Sequence, residues 1–271
     1  LLNEINSSIQ NIHNYEFSCI IINDFSNIKQ PNISKPSNIK SLNIINMKEN
    51  RGHARCNAFG IRFISTNKIF DYVILMDGDG EDRPQEIKDL VKEISINPET
   101  SVIAKRIKRS EGPIFQFMYQ MHKLITYTFT GKKINFGNYS CLTQQDIKIL
   151  SDKASIWSSY SGSVKKNLKI VNEINSIRGM RYFGPSKMSL FNLAIHSFSI
   201  IAVFKYQVFL RSSFLLILLS FLNNFIGIYS TLLQILLVIF NLIIFIVSLR
   251  ENKKALVESQ QNVLNKIEIT H

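Results

Sequence analysis

The stretch DYVILMDGDGEDRPQEI, Asp71–Ile87, runs five mostly apolar residues into four acids within six positions, and Pro84 then closes the cluster. The whole chain carries formal net charge +12, so this concentration of acid needs a reason. A carboxylate buried at a strand end is costly unless a cation compensates it. Asp77, Asp79, Glu81 and Asp82 would also repel one another. Two readings fit. In a solvated turn the acids meet water and cap the next helix, a role suited to Asp82 and Glu86. Alternatively a divalent cation, Mg2+ or Mn2+, takes oxygen ligands from one or two carboxylates and from substrate phosphates.

Working outward, DYVILMD reads as a strand and PQEIKDLVKEI as a helix opened by Pro84. Upstream, residues 1–16 show helical spacing through Leu2, Ile5, Ile9 and Ile12. FSCIIIND, Phe17 to Asp24, is a short apolar run that reads as a buried strand. A polar loop with two prolines follows, then a strand at SLNIINM and a helix from Asn50 to Ser65. Downstream, TSVIAKR is a fourth strand. Alternating strands and helices predict an α/β domain with a mainly parallel sheet. Ligands of such sheets sit beyond the carboxyl ends of the strands, where Asp24 and Asp77 both fall.

From Glu111 the character changes. GPIFQFMYQMHKLITYTFTG is aromatic-rich and reads as helical, and INFGNYSCL as a short strand with a turn. Ile177 to Ser189 is a basic, glycine-containing loop, and Leu190 to Phe204 suits a helix lying in a membrane interface. Ser212 to Leu249 contains no charged residue. As one helix it would measure roughly 57 Å against a bilayer core of about 30 Å. That is too long for one span and suits two, with the break at Asn223–Gly227. Lys187, Lys205 and Arg211 precede the run, and Arg250, Lys253 and Lys254 follow it. Positive charge on both flanks places both ends in the cytoplasm. The three cysteines are scattered and read as packing residues in a reducing compartment. No signal peptide is recognised. His122 and His196 read as packing or interfacial residues, and Trp157 as an interfacial anchor or a packing residue.

Four stretches resemble the family 2 glycosyltransferases of GT-A fold, specifically the polyprenyl-phosphate sugar synthase branch. IINDFS is similar to a strand-end V-D-D-G-S. NRGHARCNAFGI is similar to an N-x-G-x-x-x-A-x-x-x-G helix. MDGDGEDRPQEI resembles D-x-D-L-Q-D-P-P-E, and RYFGPSKMS resembles R-x-x-G-x-S-K-Y before membrane helices. The resemblance implies that Asp24 contacts the nucleotide base and that Asp77 lies near the ribose and diphosphate. It implies that Asp79 binds the metal, with Glu81 as a second ligand or a contact to metal-bound water. Asn23 and Phe25 depart from the first Asp and the Gly of V-D-D-G-S. The family's first strand, V-I-P-x-Y-N-E, is absent, and with Leu1 in place of Met the chain reads as truncated.

Between Tyr160 and Arg211 there are eight Lys or Arg and one Glu. Positive charge beside a membrane accounts for part of this, and no nucleic-acid partner is expected. Arginine forks also match phosphate geometry. Arg178, Arg181 and Lys187 are expected to hold phosphate at the membrane surface, with Arg181 in the catalytic set beside Asp77 and Asp79. Arg106 and Arg109 are expected to close over the donor diphosphate.

The acceptor can be argued from acid–base chemistry. A sugar hydroxyl needs a general base to become a nucleophile, whereas a phosphate monoester, with a second pKa of about 6, is already largely anionic. No Asp or Glu lies between Glu111 and Asp146, and the resemblance places Asn138 of FGNYSC in a segment where relatives can carry an acid.

The expected protein is thus a membrane-anchored glycosyltransferase that moves a sugar from a UDP- or GDP-sugar to polyprenyl phosphate at the cytoplasmic membrane, and the resemblance implies direct attack that inverts the anomeric centre. Its parts are a GT-A domain over 1–186, an interfacial helix over 187–205, two membrane helices over 206–250 and a cytoplasmic tail over 251–271. A homo-oligomer is compatible with this. The rivals are transfer to a glycan or lipid hydroxyl, which needs a carboxylate base near the sugar, and a catalytically inactive membrane-anchored scaffold.

Overall fold

A computed structural model describes residues 1–26, 33–108, 113–184 and 189–270. The layers follow from two-residue alternation along β4, Val102–Lys108, and β5, Phe136–Thr143. Ile103 and Leu142 face one side of their sheet, under α2, His53–Asn67, α5, Gln144–Ser151, and α6, Tyr160–Asn167. Val102, Ala104, Tyr139 and Cys141 face the other side, under Leu90 and Ile94 of α3, Ile87–Ile96. Trp157 is buried in the first of these cores, with the Arg55 guanidinium 5.9 Å from its ring centroid. Burial pushes the Cys56 and Cys141 thiols up to about 12, in keeping with inert packing.

The strands form two sheets. One has the order β3, Tyr72–Leu75, then β5, β4 and β6, Asn172–Ile177. The other has β1, Phe17–Asn23, then β2, Ile39–Met47, and β7, Val263–Ile269. The α/β architecture stands, but the sheets are mixed rather than mainly parallel. β1/β2 and β4/β6 are parallel, whereas β3/β5, β4/β5 and β2/β7 are antiparallel. In the four-stranded sheet the reversals arise because β5, which follows α4, Pro113–Thr130, enters between β3 and β4 from the opposite end. The helix α1, Leu2–Ile9, packs through Ile9 on Ile39, Leu42, Ile87 and Val91. Ile74 of β3 joins that cluster, so one apolar seam runs between the sheets.

Behind this domain come α7, Leu190–Ala202, α8, Lys205–Ile226, and α9, Ile228–Ser248. Among the described residues, two helices are long and apolar enough to cross a membrane. They meet at Gly227, whose φ of 53° only glycine adopts without strain. The helix α4 lies beside them. Arg211 of α8 donates 2.8 Å to the Thr128 carbonyl, and the Phe129 and Phe240 rings stand 4.6 Å apart.

Residues 251–270, within the segment read from the sequence as a tail, pack on the domain. In α10, Lys253–Glu258, Leu256 is fully buried in the core with Trp157. β7 then pairs antiparallel with β2. The alternation in VLNKIEI suits a strand with one covered face, but its partner lies more than two hundred residues earlier, beyond any local pattern.

Candidate active site

The acidic loop after β3 is folded on itself. Asp77 N–H donates 2.9 Å to Asp82 Oδ2, and Glu81 N–H donates 3.0 Å to Asp79 Oδ1. Gly80 takes φ 91° between them. The solvated-turn reading fails for Asp82 and Glu86, because both are buried. Glu86 accepts 2.7 Å from Ser176 Oγ and 3.0 Å from Ile177 N–H, tying the loop to the end of β6. Asp82 is held by Asp77 N–H and lies 3.7 Å from Arg106. Arg106 therefore lies beneath the loop, against Gly137.

Burial, followed by the charge of Asp77, pushes the Asp82 carboxyl up to about 7. A carboxyl raised in the folded state favours the protonated form, so its contribution to stability is complete below pH about 4 and is lost as pH rises toward about 7. The Tm of the wild-type chain is expected to fall across that window. Asp82→Asn keeps an acceptor oxygen and should flatten the profile, melting above wild type at pH 7.5. Parallel profiles would refute this.

The loop at 178–184 sits directly on the acidic loop. Gly179 N–H donates 2.8 Å to the Glu81 carbonyl, and Tyr182 N–H donates 3.0 Å to the Asp79 carbonyl. A Cβ on Gly179 would lie 2.4 Å from the Gly80 carbonyl oxygen, so only glycine permits this approach. Arg178 pairs with Glu81 Oε2, while Arg181 Nε lies 2.7 Å from Glu81 Oε1 and Nη2 lies 3.1 Å from Asp79 Oδ2. The two groups of residues read separately from the sequence, one for phosphate and one for metal, are thus each other's partners. Burial pushes the Glu81 carboxyl up, but hydrogen bonds and charge from Arg178 and Arg181 outweigh it and hold it below the usual range.

These contacts test the metal assignment. Both carboxylate oxygens of Glu81 are taken by arginine, so in this arrangement Glu81 anchors the basic loop and does not fit a metal ligand. Asp79 fits better. Its side chain is 34% exposed, and its outer oxygen meets the Arg181 fork at 3.1 Å. Among the described residues no group of three or more His, Cys, Asp or Glu side chains converges as a metal site.

Asp77 faces α2 and β5. Asn138 Nδ2 donates to its two oxygens at 3.1 and 3.4 Å, and His53 Nε2 stands 3.4 Å from Oδ1. His53 Nε2 also lies 2.5 Å from Asn138 Nδ2 and 3.1 Å from Asn57 Nδ2. The sequence reading missed His53. Its one local signal is its place directly after Gly52, where α2 starts beyond the carboxyl end of β2.

Asp24 accepts 3.1 Å from Arg51 N–H and 2.9 Å from Gly52 N–H, which joins the loops after β1 and β2. Phe25 beside it takes φ 53°, at the position where the resembling motif has Gly. A left-handed conformation there costs a non-glycine residue about 1–3 kcal/mol. Arg109 and Lys187 lie outside the described residues.

Acids and arginines thus meet beyond the carboxyl end of β3, an arrangement suited to a phosphorylated ligand. Residues 1–153 match the family model described as Glycosyl transferase family 2. No curated protein matches the chain.

Proposed function

The chain belongs to glycosyl transferase family 2, and from that premise we propose that it moves a sugar from a UDP- or GDP-sugar to polyprenyl phosphate. In this reading α8 and α9 cross the cytoplasmic membrane, and the catalytic domain lies on the cytoplasmic side. The observation that carries it is the contact between the basic loop and the acidic loop just ahead of two long apolar helices. β7 adds support, since its pairing with β2 returns the chain after the hairpin to the domain it left.

Asp24 would meet the nucleotide base and Asp77 the ribose. Asp79 would hold Mg2+ or Mn2+ together with the donor diphosphate. When bound, the metal would offset charge on the leaving group. Arg178 and Arg181 are held by Glu81 at the height of Asp79, and an arriving phosphate competes for the same forks. An acceptor phosphate oxygen attacks the anomeric carbon and the nucleoside diphosphate departs, inverting the centre. No proton has to be removed, so no general base is needed.

A second reading, transfer to a hydroxyl, gains one observation. His53 stands beside Asn138, where an imidazole can accept a proton that an amide cannot. The test uses membranes containing the full chain, labelled UDP- and GDP-sugars, Mg2+ or Mn2+, and either polyprenyl phosphate or hydroxyl acceptors. Label extracted into the organic phase only with polyprenyl phosphate is the expected result. Transfer to a hydroxyl that disappears with His53→Ala would replace it with the second reading. No transfer to any acceptor would leave a catalytically inactive scaffold.

A further inference from the structure

Three asparagines lie in register across neighbouring strands, Asn23 opposite Asn46 and Asn46 opposite Asn265. Their side chains form one directed chain. Ser26 N–H donates 3.1 Å to Asn23 Oδ1, Asn23 Nδ2 donates 2.9 Å to Asn46 Oδ1, and Asn46 Nδ2 donates 2.8 Å to Asn265 Oδ1. Because every link points the same way, each polarises the next. The last acceptor belongs to β7, which follows the apolar hairpin.

A second tie runs beside the first. Lys48 N–H donates 2.7 Å to the Asn262 carbonyl, and Asn262 Nδ2 donates 3.3 Å to the Glu49 carbonyl. The loop gripped in this way continues into Arg51 and Gly52, whose N–H groups hold Asp24. Asp24 is therefore fixed from both sides by the C-terminal segment. The ladder fastens its own turn, and Asn262 fastens the loop that supplies its hydrogen bonds. That turn includes Phe25 in the left-handed region, a conformation that persists only where its surroundings over-determine it.

We infer that Asn265, through Asn46 and Asn23, is a positioning residue for the nucleoside end of the donor, with Asn262 steadying the opposite loop. The inference rests on the reading of Asp24 as a nucleotide contact. Strand pairing alone does not require it, because Asn265 is exposed and a leucine there preserves every backbone bond of β7.

The experiment measures UDP and GDP binding to the full chain in lipid nanodiscs by calorimetry, with donor KM and kcat alongside. Asn265→Leu removes the terminal acceptor. It is expected to weaken binding of the preferred nucleotide about fivefold, the worth of one net hydrogen bond. Donor KM should rise with it, while kcat and Tm hold. Asn265→Asp keeps an acceptor oxygen and is expected to bind like wild type. Asp24→Ala separates the two ideas. If it loses binding while Asn265→Leu does not, the positioning role is overturned and the nucleotide site stands. If Asp24→Ala binds like wild type, the site reading falls and the inference falls with it. Equal losses in Asn265→Leu and Asn265→Asp would also overturn it.

Discussion

Asp79→Ala is expected to lower sugar transfer by about a hundredfold to a thousandfold, the usual cost of removing one group that stabilises developing charge. Two effects combine. The variant removes the most exposed carboxylate of the loop, the one best placed for a cation bound together with a diphosphate. It also releases Arg181 from one of its two carboxylates, leaving the fork on Glu81 alone. Asp79→Asn separates charge from scaffolding, since an amide oxygen still accepts Glu81 N–H in place of Oδ1. A similar loss in both variants assigns the effect to charge. Recovery in Asp79→Asn assigns it to the loop hydrogen bond. Transfer at the wild-type rate in both, titrated with Mg2+ and Mn2+, would remove Asp79 from the chemistry.

The second large effect concerns stability. Ending the chain after Glu258 deletes β7 and leaves β1 and β2 as a two-stranded sheet, which is marginal on its own. Val263 leaves the cluster of Ile45, Met47, Phe59 and Phe63, and the β2 ladder loses its partner from Leu42 to Met47. The expected cost is roughly 3 kcal/mol or more, from the lost ladder bonds and the re-exposed apolar surface. Limited proteolysis and hydrogen exchange should show residues 17–47 losing protection, while α8 and α9 still insert into vesicles. Unchanged protection in that span would show that β7 is dispensable.

Much of this was legible locally. Apolar runs bounded by polar residues marked β1, β2 and β4. An uncharged stretch interrupted by Asn223, Asn224 and Gly227 marked the hairpin, and Gly227 proved to be the turn because its φ demands glycine. The acids and the arginines were each legible as chemistry. Their mutual pairing was not, because a hundred residues separate Glu81 from Arg181 and no local pattern reports which charge meets which. Burial was hidden for the same reason. Asp82 and Glu86 look like helix caps until Arg106 and the end of β6 are seen to enclose them. The group formed by His53, Asn138 and Asp77 draws on a helix start and two strand ends, so it exists only once the sheet has assembled. Strand direction was the other loss, since alternation specifies faces and not polarity.

The hairpin ends lie together: Lys205 Nζ is 3.8 Å from Glu251 Oε2 at the point where α8 begins and α9 has just ended. In topological terms α8 and α9 are an insertion within one domain, not an appendage at its end. Cutting the chain before Lys205 to obtain a water-soluble enzyme would therefore also discard α10 and β7, and with them a core side chain and a sheet edge. Joining Phe204 to Asn252 through a short flexible linker removes the same apolar helices and keeps both.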